Sequence, residues 1–433
     1  MSYKITLLAV GSRGDFNPAC ALAEKLTEKG YQICIATHKN FETFVKSREL
    51  EFAPISGNYQ EILETEAGLN LLEGSGRLKL IDDELLYQQM MDAYDAATGS
   101  DALIIFPLSY FGYYIAEKLN IPCIFSCFMP ITATKKFPFL RFDLDKTPKI
   151  SAPLNYFSYV LIDFLSWQSN RKIINRFRKE VGLSPINILG NSYRRNIPKM
   201  LKPQNILVLY LYSSAIVPRP QDWRQENIHI TGNCFLEENE DYQPTLELKK
   251  FLDGGSQPLY IGFGSMTLRE PNKYLDLLIT AVRKTNQRAI ISSSWSKMHL
   301  FYDEVEKSPN IFVIDSYVPH NWLFKEVKLV IHHGGAGTTA QALRAGTPQI
   351  VIPFFGDQPA WGNRMVKIGV ASDCIPYQKL TTESLTKAIA NAVNNEELEK
   401  QAQVFSDLIK KEDGVTNAAN MIENYLSAFA GKP

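Results

Sequence analysis

The stretch Leu329 to Arg364, LVIHHGGAGTTAQALRAGTPQIVIPFFGDQPAWGNR, decides the fold. It opens with an apolar strand-like run, passes through Gly334, Gly335 and Gly337, and enters a helical pattern built on Ala340, Leu343 and Ala345. Gly346 and Pro348 stop the helix, and a second apolar strand follows at Gln349 to Pro353. Strand, glycine turn, helix and strand in that order make a βαβ unit. A glycine turn that opens a helix leaves several backbone N–H groups without intrahelical partners, at the end where the helix dipole is positive. Such a place holds phosphate. Gly335, Ala336, Gly337 and Thr338 form that turn; Thr338 and Thr339 can add hydroxyl donors, and His333 a ring N–H or, if protonated, a charge. Asp357 and Gln358, just past the second strand, can bind vicinal hydroxyls, which favours a sugar as the other half of the ligand. The adjacent His332 and His333 also admit a metal, but neighbours on a strand point to opposite faces and no third ligand stands at a typical spacing.

The stretch resembles the donor-binding signature of family 1 glycosyltransferases with the GT-B fold, in the sterol and macrolide branch. His333-Gly-Gly-Ala-Gly-Thr338 and the Pro-Phe-Phe-Gly-Asp-Gln run ending at Gln358 carry the match. The resemblance implies an α/β protein of two Rossmann-like domains facing across a cleft.

With 433 residues the chain exceeds what one hydrophobic core usually serves, so two domains of about 200 residues each are expected. Lys plus Arg and Asp plus Glu both number 46, and a neutral chain gives no support to a nucleic-acid partner. Cys20, Cys34, Cys123, Cys127, Cys234 and Cys374 show no paired-ligand spacing and read as buried thiols of a reducing compartment. The first apolar run, Ile5 to Val10, is cut off by Gly-Ser-Arg-Gly-Asp and reads as a strand, not a signal peptide. No apolar run reaches membrane-spanning length. A cytoplasmic protein is expected.

The N-terminal half alternates strand and helix. Lys4 to Val10 leads through the turn Gly11 to Asp15 into a helix from about Pro18 to Lys29. Further strands are expected at Tyr31–Thr37, Ala102–Phe106 and Ile121–Ser126, with Ile206–Tyr212 the last of this half; residues 56–100 read as helices and loops over the crevice. A linker lies within 217–247. In the second half, Pro258 to Phe263 leads into a glycine turn at Gly264 and Ser265 that lacks the third glycine of a dinucleotide fingerprint but lets the backbone approach a phosphate. Strands at Ala289–Ser293 and Ile311–Ile314 follow, then helices at Thr381–Phe405 and Ala418–Phe429. The expected division is 1–235, an acceptor-binding domain; 236–412, a nucleotide-sugar-binding domain; and 413–433, a helix that in the resembled family packs back on the first domain.

Sugar transfer requires a leaving diphosphate to be stabilised and an acceptor hydroxyl to be deprotonated. Gly335 to Thr338, His333 and Ser265 suit the first task where charge grows on the departing oxygen, and no divalent metal is then needed. No cofactor is expected beyond the nucleotide sugar as co-substrate. The resemblance also implies that the backbone of Val318 lies against the base, that Gly14 borders the donor, and that Asp15 is the catalytic carboxylate. On its residues alone, Asp15 is equally an N-cap for the helix after it. Phe106, Tyr110 and Phe128, with Phe111 and Phe125, form an aromatic cluster suited to a lipophilic acceptor. Two departures from the family bear on specificity: Gln341 stands where many relatives carry a ribose-binding Glu, leaving a UDP or TDP donor open, and Ala360 stands where the sterol branch has Phe. Asp143-Leu-Asp145 has the form of the metal-binding pair of the other glycosyltransferase fold, but no strand precedes it.

The function implied is an inverting, metal-independent transferase that moves a hexose from a nucleotide sugar to a lipophilic hydroxyl. A nucleotide-sugar epimerase of similar fold, or a non-enzymatic nucleotide-sugar-binding protein, are the other readings. The run Tyr156 to Trp167 has aromatic and aliphatic residues at helical spacing and either packs on the core or lies in a membrane interface. Beside it, Arg171 to Lys202 carries nine Lys or Arg and one acid, Glu180, which reads as a solvated face or a patch for anionic lipid.

Overall fold

The structure is a computed structural model that describes residues 3–73, 81–141, 151–187, 206–224, 227–237, 242–293 and 308–430. The chain forms two compact units, Met1–Ile62 with Lys79–Leu236 and Glu412–Pro433, and Leu63–Leu78 with Glu237–Lys411. Asp143 and Asp145, and the later part of the basic segment Arg171 to Lys202, lie outside the described residues.

In the first unit, β1 (Lys4–Leu8), β2 (Gln32–His38), β3 (Glu51–Ile55), β4 (Ala102–Ile105), β5 (Cys123–Cys127), β6 (Leu207–Tyr210) and β7 (Ile228–Ile230) form one sheet. Its order is β3-β2-β1-β4-β5-β6-β7, and every neighbouring pair is parallel. Helices cover a parallel sheet on both faces, so its central strands are apolar without alternation: Ile5, Leu7 and Leu8 of β1 and all of β4 are fully buried. The strand order reverses between β1 and β4, and the crevice at the C-terminal ends of such a pair is where open α/β sheets bind ligands. Ile206–Tyr212 is not the last strand; the three-residue β7 lies beyond it, too short to show a pattern in sequence.

The first helix is Arg13–Glu28, with Pro18 inside it, so it starts earlier than its apolar pattern. The cause is a capping box in which Ser12 is the N-cap and Asp15 the third helical residue. The C-terminal helix Gly414–Ala430 sets Ala418, Ala419, Ile422 and Leu426 into the same core as Ala19, Leu22, Ala23 and Leu26. Lys29 Nζ meets Glu423 Oε2 at 2.8 Å beside that contact.

In the second unit, β8 (Leu259–Gly262), β9 (Ala289–Ser292), β10 (Ile311–Ile314), β11 (Leu329–His332), β12 (Gln349–Val351) and β13 (Ala371–Cys374) form a parallel sheet in the order β10-β9-β8-β11-β12-β13. Here the reversal falls between β8 and β11, so the turns after these two strands, Gly264-Ser265 and His333 to Gly337, meet at a ligand position. Leu63–Leu78, which chain order alone would assign to the first unit, groups with the second. Arg269 reaches Glu66, Asn70 and Glu73 of this segment at 2.9–3.1 Å, and Gln378 Nε2 donates to Leu72 O at 3.2 Å.

The single helix expected at Thr381–Phe405 is two, Thr382–Val393 and Glu396–Lys410. Asn395 Oδ1 accepts from Leu398 N at 3.1 Å and restarts the helix. Replacing it with alanine removes an N-cap and is expected to cost about 1 kcal/mol of stability, read as a lower urea midpoint at unchanged slope. An unchanged midpoint would show that packing, not the cap, holds this helix. All six cysteines are free, and only Cys374 is partly exposed.

Candidate active site

At the switch point of the second unit, the two adjacent histidines diverge. His332 is fully buried; its Nδ1 accepts from Gly334 N at 3.1 Å, so its Nε2 carries the proton and donates to Gln349 Oε1 at 2.8 Å. Burial lowers its pKa to about 4, and the Gln349 contact only partly opposes this. It is a neutral strut holding the glycine turn. Among the described residues no three His, Cys, Asp or Glu are grouped as a metal site.

His333 is enclosed by backbone. A β-carbon on Gly335 would sit 2.4 Å from its Nε2, and one on Gly264 would sit 3.0 Å from its Cε1. These two positions are glycine because the ring occupies the space of a side chain; Gly264 also has φ +60°. Its Nδ1 is buried without a protein partner. Desolvation first, then His332 and His320, bring its pKa down to about 3. Without a ligand the neutral ring is favoured, although the residue as a whole is partly exposed.

The helix Ala336–Ala345 has Gly335 as N-cap with no side-chain cap bond, and its first backbone bond runs from Thr339 N to Gly335 O at 2.9 Å. The N–H groups of Ala336, Gly337 and Thr338 precede that bond, and all three residues are partly exposed. Thr339 is corrected as a phosphate donor: it is 2% exposed, and its Oγ1 is turned inward without a partner. Gln341 Oε1 is likewise buried and unpartnered. Ser265 is partly exposed beside Gly264, while Val318 is buried in the core with Phe324, so only its backbone can face a ligand.

The two residues past β12 separate. Asp357 is partly exposed, its Oδ2 accepts from Trp361 Nε1 at 2.9 Å, and burial of the carboxyl raises its pKa. Gln358 is 5% exposed and its Oε1 accepts from the N–H of Phe354 at 2.8 Å and Phe355 at 3.3 Å. Its oxygen is thus held by the loop, while Nε2 has only a 3.5 Å contact with Met266 Sδ, so any role toward a sugar hydroxyl falls to the amide nitrogen.

In the first unit, Asp15 lies at the β1/β4 switch point. Its Oδ2 accepts from Ser12 N at 2.9 Å and Ser12 Oγ at 3.0 Å. Gly11 has φ +134°, and a β-carbon there would fall 2.5 Å from Asp15 Oδ2, so the backbone closes on the carboxylate as it does on His333. Gly14 is exposed, and its N–H is given to Ser12 Oγ at 3.2 Å. Two residues escaped the sequence reading. His38, 1% exposed at the end of β2, accepts from Gly11 N through Nε2 at 3.3 Å and so donates through Nδ1 to Ile55 O at 3.3 Å; its position beside β1 was the only signal. Leu108, 41% exposed, comes within 3.0 Å of the Gly11 β-carbon position.

The aromatic cluster is mostly core. Phe106 and Phe111 are fully buried and Phe125 nearly so, because they occupy or follow central strands. Tyr110 and Phe128 are partly exposed, and Phe128 stacks on Phe106 with ring centroids 5.8 Å apart. Phe106 therefore supports Phe128 and cannot itself line an acceptor site.

The model of the glycosyltransferase family 28 N-terminal domain matches residues 5–138, and that of the erythromycin biosynthesis protein CIII-like C-terminal domain matches residues 302–420. Two sterol 3-beta-glucosyltransferases of Arabidopsis thaliana are each 34% identical over 98% of this chain, which spans 68% and 66% of their lengths. One from Neurospora crassa is 34% identical over 97% of this chain, which spans 27% of it. The solved glycosyltransferase of kitacinnamycin superposes with a TM-score of 0.70 at 17% identity, covering 98% of this chain and 100% of that one. The calicheamicin glycosyltransferase CalG4 does so at 0.65 and 16%, covering 99% of each, a likeness of fold alone. Two parallel sheets with the glycine turns at their switch points, and 34% identity across two thirds of a plant relative, make one case: the chain belongs to the GT-B glycosyltransferases, in their sterol and macrolide branch.

Proposed function

We propose that the protein transfers a hexose from a nucleotide sugar to a hydroxyl of a lipophilic, sterol-like acceptor, with inversion and without a divalent metal. The observation that carries this is the uncapped N-terminus of Ala336–Ala345 at a switch point, beside a neutral imidazole. Asp15 takes the acceptor proton as the oxygen attacks the anomeric carbon; the bond to the diphosphate oxygen breaks, and that oxygen leaves with the electron pair. The N–H groups of Ala336, Gly337 and Thr338, with the hydroxyls of Thr338 and Ser265, receive the growing negative charge. Gln341 Oε1 lacks a donor in the protein, and a sugar hydroxyl of the nucleotide supplies one, in a UDP- or a TDP-sugar alike. Asp357 is the sugar-hydroxyl acceptor of this scheme, and Gln358 holds its loop. The sterol specificity in the plant and fungal relatives' names supports the acceptor class, and such an acceptor implies cytoplasmic work at a membrane surface.

Thr338→Ala is expected to weaken donor binding roughly 10- to 150-fold by removing a hydrogen bond to charged phosphate. Titration calorimetry with a panel of UDP- and TDP-sugars reads this, and turnover is expected to persist in excess chelator. Loss of activity on chelation would overturn the metal-free scheme, and release of an isomerised sugar nucleotide without any acceptor would overturn transfer itself.

A further inference from the structure

The helix Ala152–Glu180 is inside out over its first half. Its inward face carries Asn155, Tyr159, Asp163 and Trp167, two of them polar. Asn155 Nδ2 donates to Lys135 O at 3.1 Å, and Tyr159 packs edge-on against Phe139 at 5.6 Å. Leu154 (66% exposed), Phe157 (56%), Leu161 (44%), Phe164 (45%) and Leu165 (45%) face solvent instead. With Tyr156, this one segment holds half of the exposed large apolar side chains among the described residues. A surface helix of a soluble protein has the opposite arrangement, apolar stripe inward and polar face outward.

At about 100° per residue, the stripe through Leu154, Leu161 and Leu165 continues along the same face to Lys172, Arg176 and Lys179, all exposed. The face is therefore apolar for about 18 Å and cationic beyond it. Arg176 is paired with Glu84 at 2.5 Å and also feels the exposed Glu180, so the positive charge left to this face rests on Lys172 and Lys179. The second half is anchored inward by Arg178, whose guanidinium meets Glu117 at 2.5 Å and Ser184 O at 2.8 Å. No helix among the described residues is long and apolar enough to cross a membrane.

We infer that this face lies in the interface of an anionic bilayer, the apolar half seated at the acyl boundary and Lys172 and Lys179 against headgroup phosphates. A bilayer satisfies both halves at once. A second copy satisfies only one half: antiparallel pairing through Leu154 to Leu165 would leave Lys172 and Lys179 outside the seam. The inference deepens the acceptor reading and rests on it for the enzyme's need of a membrane; the binding test below involves no sugar transfer, so either can fail alone.

The full chain is sedimented with phosphatidylcholine vesicles and with phosphatidylcholine–phosphatidylserine vesicles, at low and high salt. It is expected to pellet with the anionic vesicles at low salt and to be released by high salt, since screening shortens the charge attraction. The triple variant Phe157→Ser, Leu161→Ser, Phe164→Ser is expected to partition at least tenfold less, and Lys172→Glu with Lys179→Glu likewise. Exposed positions make loss of folding avoidable, and circular dichroism checks it. Wild-type protein that stays in the supernatant overturns the inference, as does equal pelleting with neutral vesicles or undiminished pelleting of the triple variant. A dimer that the triple variant dissolves in size-exclusion chromatography also overturns it, in favour of a self-association face. So does a raised KM for a water-soluble acceptor with vesicle binding intact, which would make the stripe an acceptor contact.

Discussion

Asp15→Asn is expected to lower kcat by about 10²- to 10⁴-fold, the range that a positioned general base contributes, while the donor dissociation constant and the melting temperature stay close to wild type. Asp15 Oδ2 holds the N–H and hydroxyl of Ser12, so the side chain caps its helix whatever else it does. The amide oxygen of asparagine can accept the same two bonds and keep the same outline, but it cannot take a proton. The substitution therefore separates the two roles that one carboxylate combines. Single-turnover kinetics with saturating donor reads the chemical step, and calorimetry reads the donor. Wild-type turnover in this variant would leave Asp15 with the cap alone and would require another base.

Gly335→Ala is expected to reduce kcat/KM by roughly 10²- to 10³-fold, the loss typical when a donor at a developing oxyanion is displaced, with little change in folding. Gly335 has φ −61° and ψ 141°, a conformation open to any residue, so alanine brings no backbone strain. What it brings is a β-carbon 2.4 Å from His333 Nε2, which forces the ring aside. Gly264 and Gly334 would be poorer probes because their φ values, +60° and +85°, penalise any side chain. Because His333 is held neutral, with its pKa near 3, donor affinity is expected to show no titration through the ordinary imidazole value of about 6.5. Unchanged kinetics in Gly335→Ala would remove His333 from the mechanism, and an affinity step near 6.5 that vanishes in His333→Asn would show that the charged ring binds.

The same two histidines, His332 fully buried and His333 partly exposed, affect stability. Both have folded pKa values below the unfolded value of about 6.5, so the unfolded chain binds protons that the folded chain refuses, and stability falls as pH drops from about 6.5 toward 4.

What the sequence by itself determined was whatever repeats along the chain. The unbroken apolar runs of β1, β4 and β11 announced a parallel sheet buried on both sides, and Gly334, Gly335 and Gly346 bounded a helix, because chain-local sterics and burial period are written in adjacent residues. The positions of the two glycine turns after β8 and β11 were legible for the same reason. Only the tertiary structure decided where side chains at the ends of those elements point and which partner answers each polar atom. Gln358 turns inward to serve Phe354 and Phe355, His332 is a neutral strut on Gln349, Thr339 faces the core, and Phe106 lies under Phe128. Glu66, Asn70 and Glu73 leave their chain neighbours for Arg269, and Asn155 and Asp163 turn inward while Phe157 and Phe164 face water. Spacing along a helix says which residues share a face, but the atoms that compete for that face come from segments tens to hundreds of positions away, and packing and hydrogen-bond satisfaction settle the competition only once those segments meet.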